Sequence, residues 1–486
     1  MSLFVKKPLD QLLSAAAGDT GLKRTLGPAN LIALGIGAII GAGLFVRTAQ
    51  AAGEAAGSAV VLSFVVAAVG CAFAGLCYAE FASMIPVAGS AYTYAYVTMG
   101  EFLAWIIGWA LILEYALASA TVAISWSQYL NKLCEMLFGA QIPYEWCHSP
   151  FEAENGVSGI MNIPALVILL ILTMVLIRGT KGSAMLNAVI VLVKVTIVLL
   201  FIAIGWQFIN PVNHTPLMIP EGTPGHDAFN EFGIGGVFGG ASIVFFAFIG
   251  FDAVSTAAQE AKNPKRDMPI GILGSLFFCT ILYILFSWVL TGVAPWSEFL
   301  QAGKEASVAY AIDTYMPGYG WLSTFITIAI LAGFSSVILV MLLGQSRVFY
   351  SMANDGLMPK VFAELHPKYR TPFKSNWILL GFVAIFGGFV PVEVAGDLTS
   401  FGTLFAFVLV CIAVWIMRVK SPEVPRAFRT PLVPLVPIMG ILICTTLIIT
   451  LDGFTQLVAI VWMIFGLGIY FAYGKKNSHL QNRVKR

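Results

Sequence analysis

The chain has 486 residues, 58% of them hydrophobic and only 11% charged, with a formal net charge of +2 and a mean hydropathy of +0.86. Soluble domains carry about 25% charged residues, so this composition excludes a soluble globular protein and marks a polytopic membrane protein. The seven cysteines show no metal-ligand spacing, and His148, His214, His226, His366 and His479 all fall in predicted loops or the tail, which argues against a metalloenzyme embedded in the membrane.

The first segment, Met1 to Pro28, is polar, contains Lys6, Lys7, Lys23 and Arg24, and shows no signal-peptide core. A transmembrane helix needs about 20 apolar residues. About twelve such spans are expected, near 28–48, 58–84, 93–130, 160–178, 184–208, 233–258, 270–292, 321–353, 375–391, 397–417, 435–451 and 454–473. Lys and Arg orient them. With the N-terminus inside, every Lys and Arg falls on the inside except Arg47, Lys132 and Lys304 in outer segments and Lys194 in the membrane. Acids such as Glu145, Glu152, Glu154, Glu221, Asp227 and Glu231 mark the outside loops. Both termini are then cytoplasmic. Cys134 and Cys147 share one outer loop, where either a disulfide or two free thiols would fit.

The first span holds Gly35, Gly37, Gly41 and Gly43. Each glycine inside a helix costs about 1 kcal/mol relative to alanine, so the run has a purpose. It provides either close helix packing through the Gly37–Gly41 spacing or a break in the helix. A break frees backbone groups at bilayer depth, which lipid cannot satisfy, so it must line a cavity or be buried in protein. Such a break suits a zwitterion: the new helix start attracts a carboxylate and the preceding carbonyls accept from an ammonium. The sixth span, Gly233 to Val254, is glycine-rich again and carries Asp252 within its apolar run. Interrupted spans at matching places in two five-span halves point to an inverted repeat with a site between them.

Ionisable groups inside a membrane are functional by default. Lys194 sits mid-way along the fifth span, and burial disfavours its charged form, which permits proton release. Glu114 in the third span and Asp252 after the sixth-span glycines are further proton carriers or, equally, structural carboxylates that cap a broken helix or pair with Lys194. Tyr283 in the seventh span either links them or packs in the core, and Glu80 is a gate or fold contact rather than a substrate ligand.

Several runs carry a family likeness: Leu34–Phe45, Ala74–Phe81, Gly89–Tyr92, Gly108–Tyr115, Phe246–Asp252, Glu260–Lys265 and Arg347–Leu357. Together they resemble the amino acid–polyamine–organocation transporters, in particular the cationic amino acid transporter branch and its bacterial twelve-span members, over roughly residues 20 to 475. The resemblance implies an all-α polytopic membrane protein with an inverted five-helix repeat, the leucine-transporter-type fold, and broken first and sixth helices. It divides the chain into a cytoplasmic segment 1–27, a first repeat 28–208, an extracellular loop 209–231, a second repeat 232–418, two additional helices 419–474 and a cytoplasmic basic tail 475–486. It implies that the substrate carboxylate meets Gly41, Ala42 and Gly43, and that the α-amino group meets carbonyls of Ile39, Ile40, Phe246, Ala247 and Ile249 under the Phe246 ring. Lys194 matches the place where sodium-coupled relatives hold a cation, which implies proton coupling in place of sodium. Met341 matches an eighth-span position that is small and polar in carriers of long cationic amino acids. A Met there shortens the pocket, or simply fills a gap between helices. The expected function is proton-coupled uptake of small neutral amino acids such as alanine, with an exchanger or a cationic amino acid carrier of the same fold as the alternative. The expected partners are an amino acid, a coupling proton and the bilayer of the bacterial inner membrane. No nucleic acid, cofactor or metal is expected.

Overall fold

The computed structural model describes residues 3–8, 26–85, 90–154, 156–179, 183–223, 230–299 and 307–485. Gly89, Lys23, Arg24, His226, Asp227 and Lys304, named above, lie outside them. Twelve principal helices run in chain order: α1 (Pro28–Ile39), α2 (Val60–Met84), α3 (Glu101–Phe138), α4 (Ile163–Arg178), α5 (Ser183–Gly205), α6 (Gly233–Val244), α7 (Pro264–Val293), α8 (Gly320–Asn354), α9 (Phe373–Phe389), α10 (Val392–Lys420), α11 (Leu435–Ile449) and α12 (Gly453–Ile469). Among the described residues, eight helical runs are long and apolar enough to cross a membrane, and α1, α4, α9 and α11 are shorter apolar helices. The only strands among the described residues are Ala153–Glu154 and Val157–Ser158, a minimal antiparallel pair. The outer surface carries bare apolar side chains, with Leu192, Phe277, Phe325 and Ile464 all more than half exposed. In water such a surface would aggregate; in lipid it is solvated.

Local sequence sets the helix ends. Gly139 closes α3 in the left-handed conformation at φ +66°, as glycine does at helix C-termini. The Asn162 side chain accepts from the Ala165 N–H at the start of α4 (3.1 Å), and Asp452 accepts from the Phe454 N–H at the start of α12 (2.9 Å). The expected third span, 93–130, proves to be two helices. Gly100 at φ +100° separates Ser90–Thr98 from α3, because the Phe4 backbone lies where a side chain at position 100 would stand. Cys134 lies within α3 rather than in a loop, and both it and Cys147 are free thiols.

α3 packs against α8 and α10, and α7 packs against α1 and α2. The levels of α1 and α2 along α7 give their directions. Gly35 and Gly75 face Ser275 and Leu276, while Ile39 and Phe64 both meet Tyr283. The chain therefore reverses between α1 and α2, around Gly57 at φ +57°. The breaks expected in the first and sixth spans are present. α1 stops at Ile39, Ile40 and Gly41 are extended, and helix resumes at Ala42–Phe45 and Arg47–Ala51. α6 tightens into a 3₁₀ turn at Phe245–Phe248, opens at Ile249 and Gly250 (φ +112°), and returns to helix at Ala253–Thr256.

Polar ties hold the ends of the bundle. Before α1, the Leu26 N–H donates to the Glu260 carbonyl (3.0 Å) and the Lys262 N–H to the Leu26 carbonyl (2.8 Å), a parallel rung joining the first span to the sixth. Arg47, assigned from the sequence to an outer segment, is fully buried and ion-paired with Asp397 at the start of α10. Glu80 in α2 receives the Arg418 guanidinium in bidentate fashion (2.9 Å to each oxygen) and the Thr430 N–H (2.8 Å). It is a fold contact, stapling α2 to α10 and the following loop. Removing one partner of a buried ion pair leaves the other uncompensated. Glu80→Ala is therefore expected to destabilise the protein by about 3 kcal/mol, seen as a lower midpoint for thermal unfolding in detergent, whereas Glu364→Ala, in an exposed pair with Lys374, leaves it nearly unchanged.

Candidate functional site

The two breaks meet at one small cavity of about 10 Å³, lined by Ala38, Ile39, Gly41, Ala42, Gly43, Ala118, Val122, Phe246, Ile249, Val337 and Met341. That is room for about one water, so a larger molecule does not fit without rearrangement of the lining. Of the residues expected from the sequence, Ile39, Gly41, Ala42, Gly43, Phe246, Ile249 and Met341 share this lining, while Ile40 and Ala247 do not belong to it. Ala38, Ala118, Val122 and Val337 complete the wall without having been anticipated. Ala118 and Val122 are one turn apart on α3, and Val337 and Met341 one turn apart on α8; an aliphatic residue in an apolar helix gives no sign of which face it shows to a cavity. No lining residue is titratable.

The glycines serve both purposes weighed for them. Gly41 spans the break at φ −154°, ψ −149°. Gly43 lets the breaks touch: a Cβ on it would lie 2.2 Å from the Ala247 Cα. Gly35 similarly makes room for Ser275.

Backbone carbonyls released by the breaks are taken up by two side chains from neighbouring helices. The Lys194 ammonium from α5 donates to the carbonyls of Gly37 (2.9 Å) and Ile40 (3.0 Å). Its charge thus sits at the C-terminal end of α1, where the helix dipole favours a cation. Lys194 is buried, and Gly333 on α8 leaves space for its methylenes: a Cβ there would lie 2.7 Å from the Lys194 Cε. Tyr283 on α7 places its hydroxyl 3.0 Å from the Ile39 carbonyl and 2.9 Å from the Ala247 carbonyl. One O–H is thereby shared between the two breaks. It does not link Glu114 to Asp252.

The residue that reaches Asp252 is Tyr115, whose hydroxyl donates to Asp252 Oδ2 at 2.6 Å. Asp252 immediately precedes Ala253–Thr256 but makes no capping bond with its side chain. Glu114, the neighbour of Tyr115 on α3, is buried within electrostatic reach of Asp252. Neither carboxylate pairs with Lys194. On the far side of Tyr115, Arg347 of α8 contacts the Thr256 hydroxyl (3.2 Å) and Glu260 (3.5 Å). Among the described residues there is no cluster of His, Cys, Asp or Glu able to hold a metal ion.

A helical membrane bundle, two interrupted helices facing one cavity, and a cation seated on the carbonyls of one interruption are the setting in which the comparisons with known proteins identify a transporter. The amino acid permease family model matches residues 26–474, and the chain belongs to that family. It is 44% identical to the branched-chain amino acid permease BcaP of Bacillus subtilis (strain 168), over 99% of both chains. It is 42% identical to the methylthioribose transporter of the same organism, again over 99% of both. Identity to the vacuolar cationic amino acid transporter 4 of Arabidopsis thaliana is 33%, over 87% of this chain and 68% of that one.

Gly43→Ala places a methyl group into the Ala247 backbone and is expected to abolish amino acid uptake in proteoliposomes while the purified protein still elutes as a single folded species on size exclusion. Full uptake by this variant would show that the two breaks need not touch.

Proposed function

We propose that the chain is a proton-coupled symporter of small neutral L-amino acids, working by alternating access in the bacterial cell membrane with both termini cytoplasmic. In this reading, residues 28–208 and 232–418 are the two repeats and 419–474 an appended helix pair. The observation that carries it is the Lys194 ammonium on the Gly37 and Ile40 carbonyls. Hydrogen bonds from a charged donor are about twice as strong as neutral ones. Protonated Lys194 therefore stiffens the end of α1 against the cavity, and release of its proton loosens the break and resets the carrier for the next cycle. Glu114, Tyr115 and Asp252 form the companion route for protons, with Tyr283 holding the two breaks in register.

The substrate carboxylate is read onto the N–H groups at Gly41–Gly43 and the amino group onto the carbonyls around Ile39, Phe246 and Ile249. The Ile40 and Ala247 carbonyls belong to the same set; the Ile40 carbonyl is shared with Lys194, and those of Ile39 and Ala247 with Tyr283, each keeping a second lone pair for the amino group. The side-chain end of the cavity, at Ala118, Val122, Val337 and Met341, is apolar and offers no carboxylate to a guanidinium. That supports alanine-sized or branched aliphatic side chains over arginine. The similarity to a branched-chain permease favours extending the range to leucine, isoleucine and valine.

The test is uptake of radiolabelled alanine and leucine into proteoliposomes with an alkaline interior, with and without sodium. Expected is sodium-independent uptake driven by the pH gradient and unaffected by a hundredfold excess of arginine. Lys194→Ala is expected to lose gradient-driven accumulation while retaining substrate binding. Uptake indifferent to the gradient and to Lys194 would identify an exchanger instead. Strong inhibition by arginine would overturn the side-chain argument.

A further inference from the structure

The short helical segment just beyond the first break is held from outside by two side chains. Phe45, the last residue of Ala42–Phe45, offers its carbonyl to the Ser307 hydroxyl (2.9 Å) and to the Tyr129 hydroxyl (3.2 Å). Tyr129 comes from α3. Ser307 opens a separate helix, Ser307–Tyr315, in the linker between α7 and α8. Both side chains are buried. The Phe45 ring is enclosed by Phe286 (5.8 Å) and Phe334 (6.1 Å), and the Tyr129 ring rests on Phe334 (5.7 Å). The linker helix is itself anchored, by Asp313 to Lys132 of α3 (3.5 Å) and by the Tyr315 hydroxyl to Glu298 after α7 (2.7 Å).

This segment has little stiffness of its own. It is four residues long, follows the extended Ile40–Gly41, and ends at Val46 with φ −119°. Gly41 just before it and Gly43 within it have no side chain to pack. A carbonyl can accept two hydrogen bonds, and at Phe45 both come from residues far away in sequence. Together they fix the rotation of the turn whose other end walls the cavity.

We propose that Ser307, together with Tyr129, is a positioning residue for the substrate site: it holds the Gly41–Gly43 wall in place through the Phe45 carbonyl and makes the linker helix Ser307–Tyr315 part of the binding unit. The proposal rests on the reading of Gly41–Gly43 as substrate-binding. A wall held in its bound geometry before substrate arrives spares the cost of ordering it during binding, so the tether acts on affinity more than on turnover.

The test is the concentration dependence of alanine and leucine uptake in proteoliposomes for wild type, Ser307→Ala, Ser307→Thr and Tyr129→Phe. Losing one hydrogen bond corresponds to about a fivefold change. Ser307→Ala is expected to raise KM about fivefold with Vmax little changed. Ser307→Thr, which keeps the hydroxyl, is expected to restore the wild-type KM. Tyr129→Phe is expected to raise KM less, matching its longer bond, and it supplies the same test should Ser307→Ala fail to fold. A wild-type KM in Ser307→Ala and Tyr129→Phe, with only a lower unfolding temperature, would assign both residues to the fold and overturn the proposal. So would a Thr variant as impaired as the Ala variant. If folded wild-type protein takes up neither amino acid, the substrate reading itself fails and this proposal falls with it; failure of the variants alone leaves that reading standing.

Discussion

A backbone group that loses its helical partner inside a bilayer must find another within the protein, since lipid offers none. The architecture around the cavity follows from that constraint. Two spans are interrupted at the same depth, and the carbonyls they release are collected by Lys194 from α5 and Tyr283 from α7. The helices supplying these side chains are therefore fixed in position by the breaks, just as the breaks are fixed by them. The glycines complete the arrangement by letting Gly43 and Ala247 approach closer than side chains would allow.

Much of this was legible in the chain itself. Long apolar segments reveal themselves by length, and breaks by an otherwise wasteful concentration of glycine. An isolated lysine in an apolar run announces a partner, though not which one: its place on the carbonyls of Gly37 and Ile40 depends on a tertiary contact between α5 and α1. Less was visible where one residue type serves two ends. Gly100 breaks the expected third span because Phe4 packs across it, a contact 96 positions away in the chain and not written into the local pattern. Arg47 looks like an outer-loop cation from its place beyond an apolar segment, yet it is buried against Asp397, because the resumed helix carries it inward. Tyr115 escaped notice beside Glu114, since a tyrosine in a helix crowded with aromatic and aliphatic residues reads as packing until its hydroxyl is seen to reach Asp252. The aliphatic wall of the cavity is silent for the same reason.

The polar contacts divide by solvent exposure. Arg47–Asp397 and the Glu80 cluster lie within the protein, where removing one partner leaves an uncompensated charge. Arg347 and Glu260 are each about one-third exposed, at 3.5 Å, the class of pair that contributes little net stability. The bundle is thus tied firmly where the first span meets the start of α10 and where α2 meets its end, and lightly where α8 meets the chain leaving the sixth span.

The rung between Leu26 and the stretch from Glu260 to Lys262 gives this inequality a mechanical meaning. Because the two strands of backbone are hydrogen-bonded to each other, the base of α1 and the foot of the sixth span cannot hinge apart on their own. The rung couples them, so a movement of one is passed to the other. The contacts of Arg347 hold this joined pair from the α8 side, so a displacement of the first span away from α8 here would carry the foot of the sixth span with it.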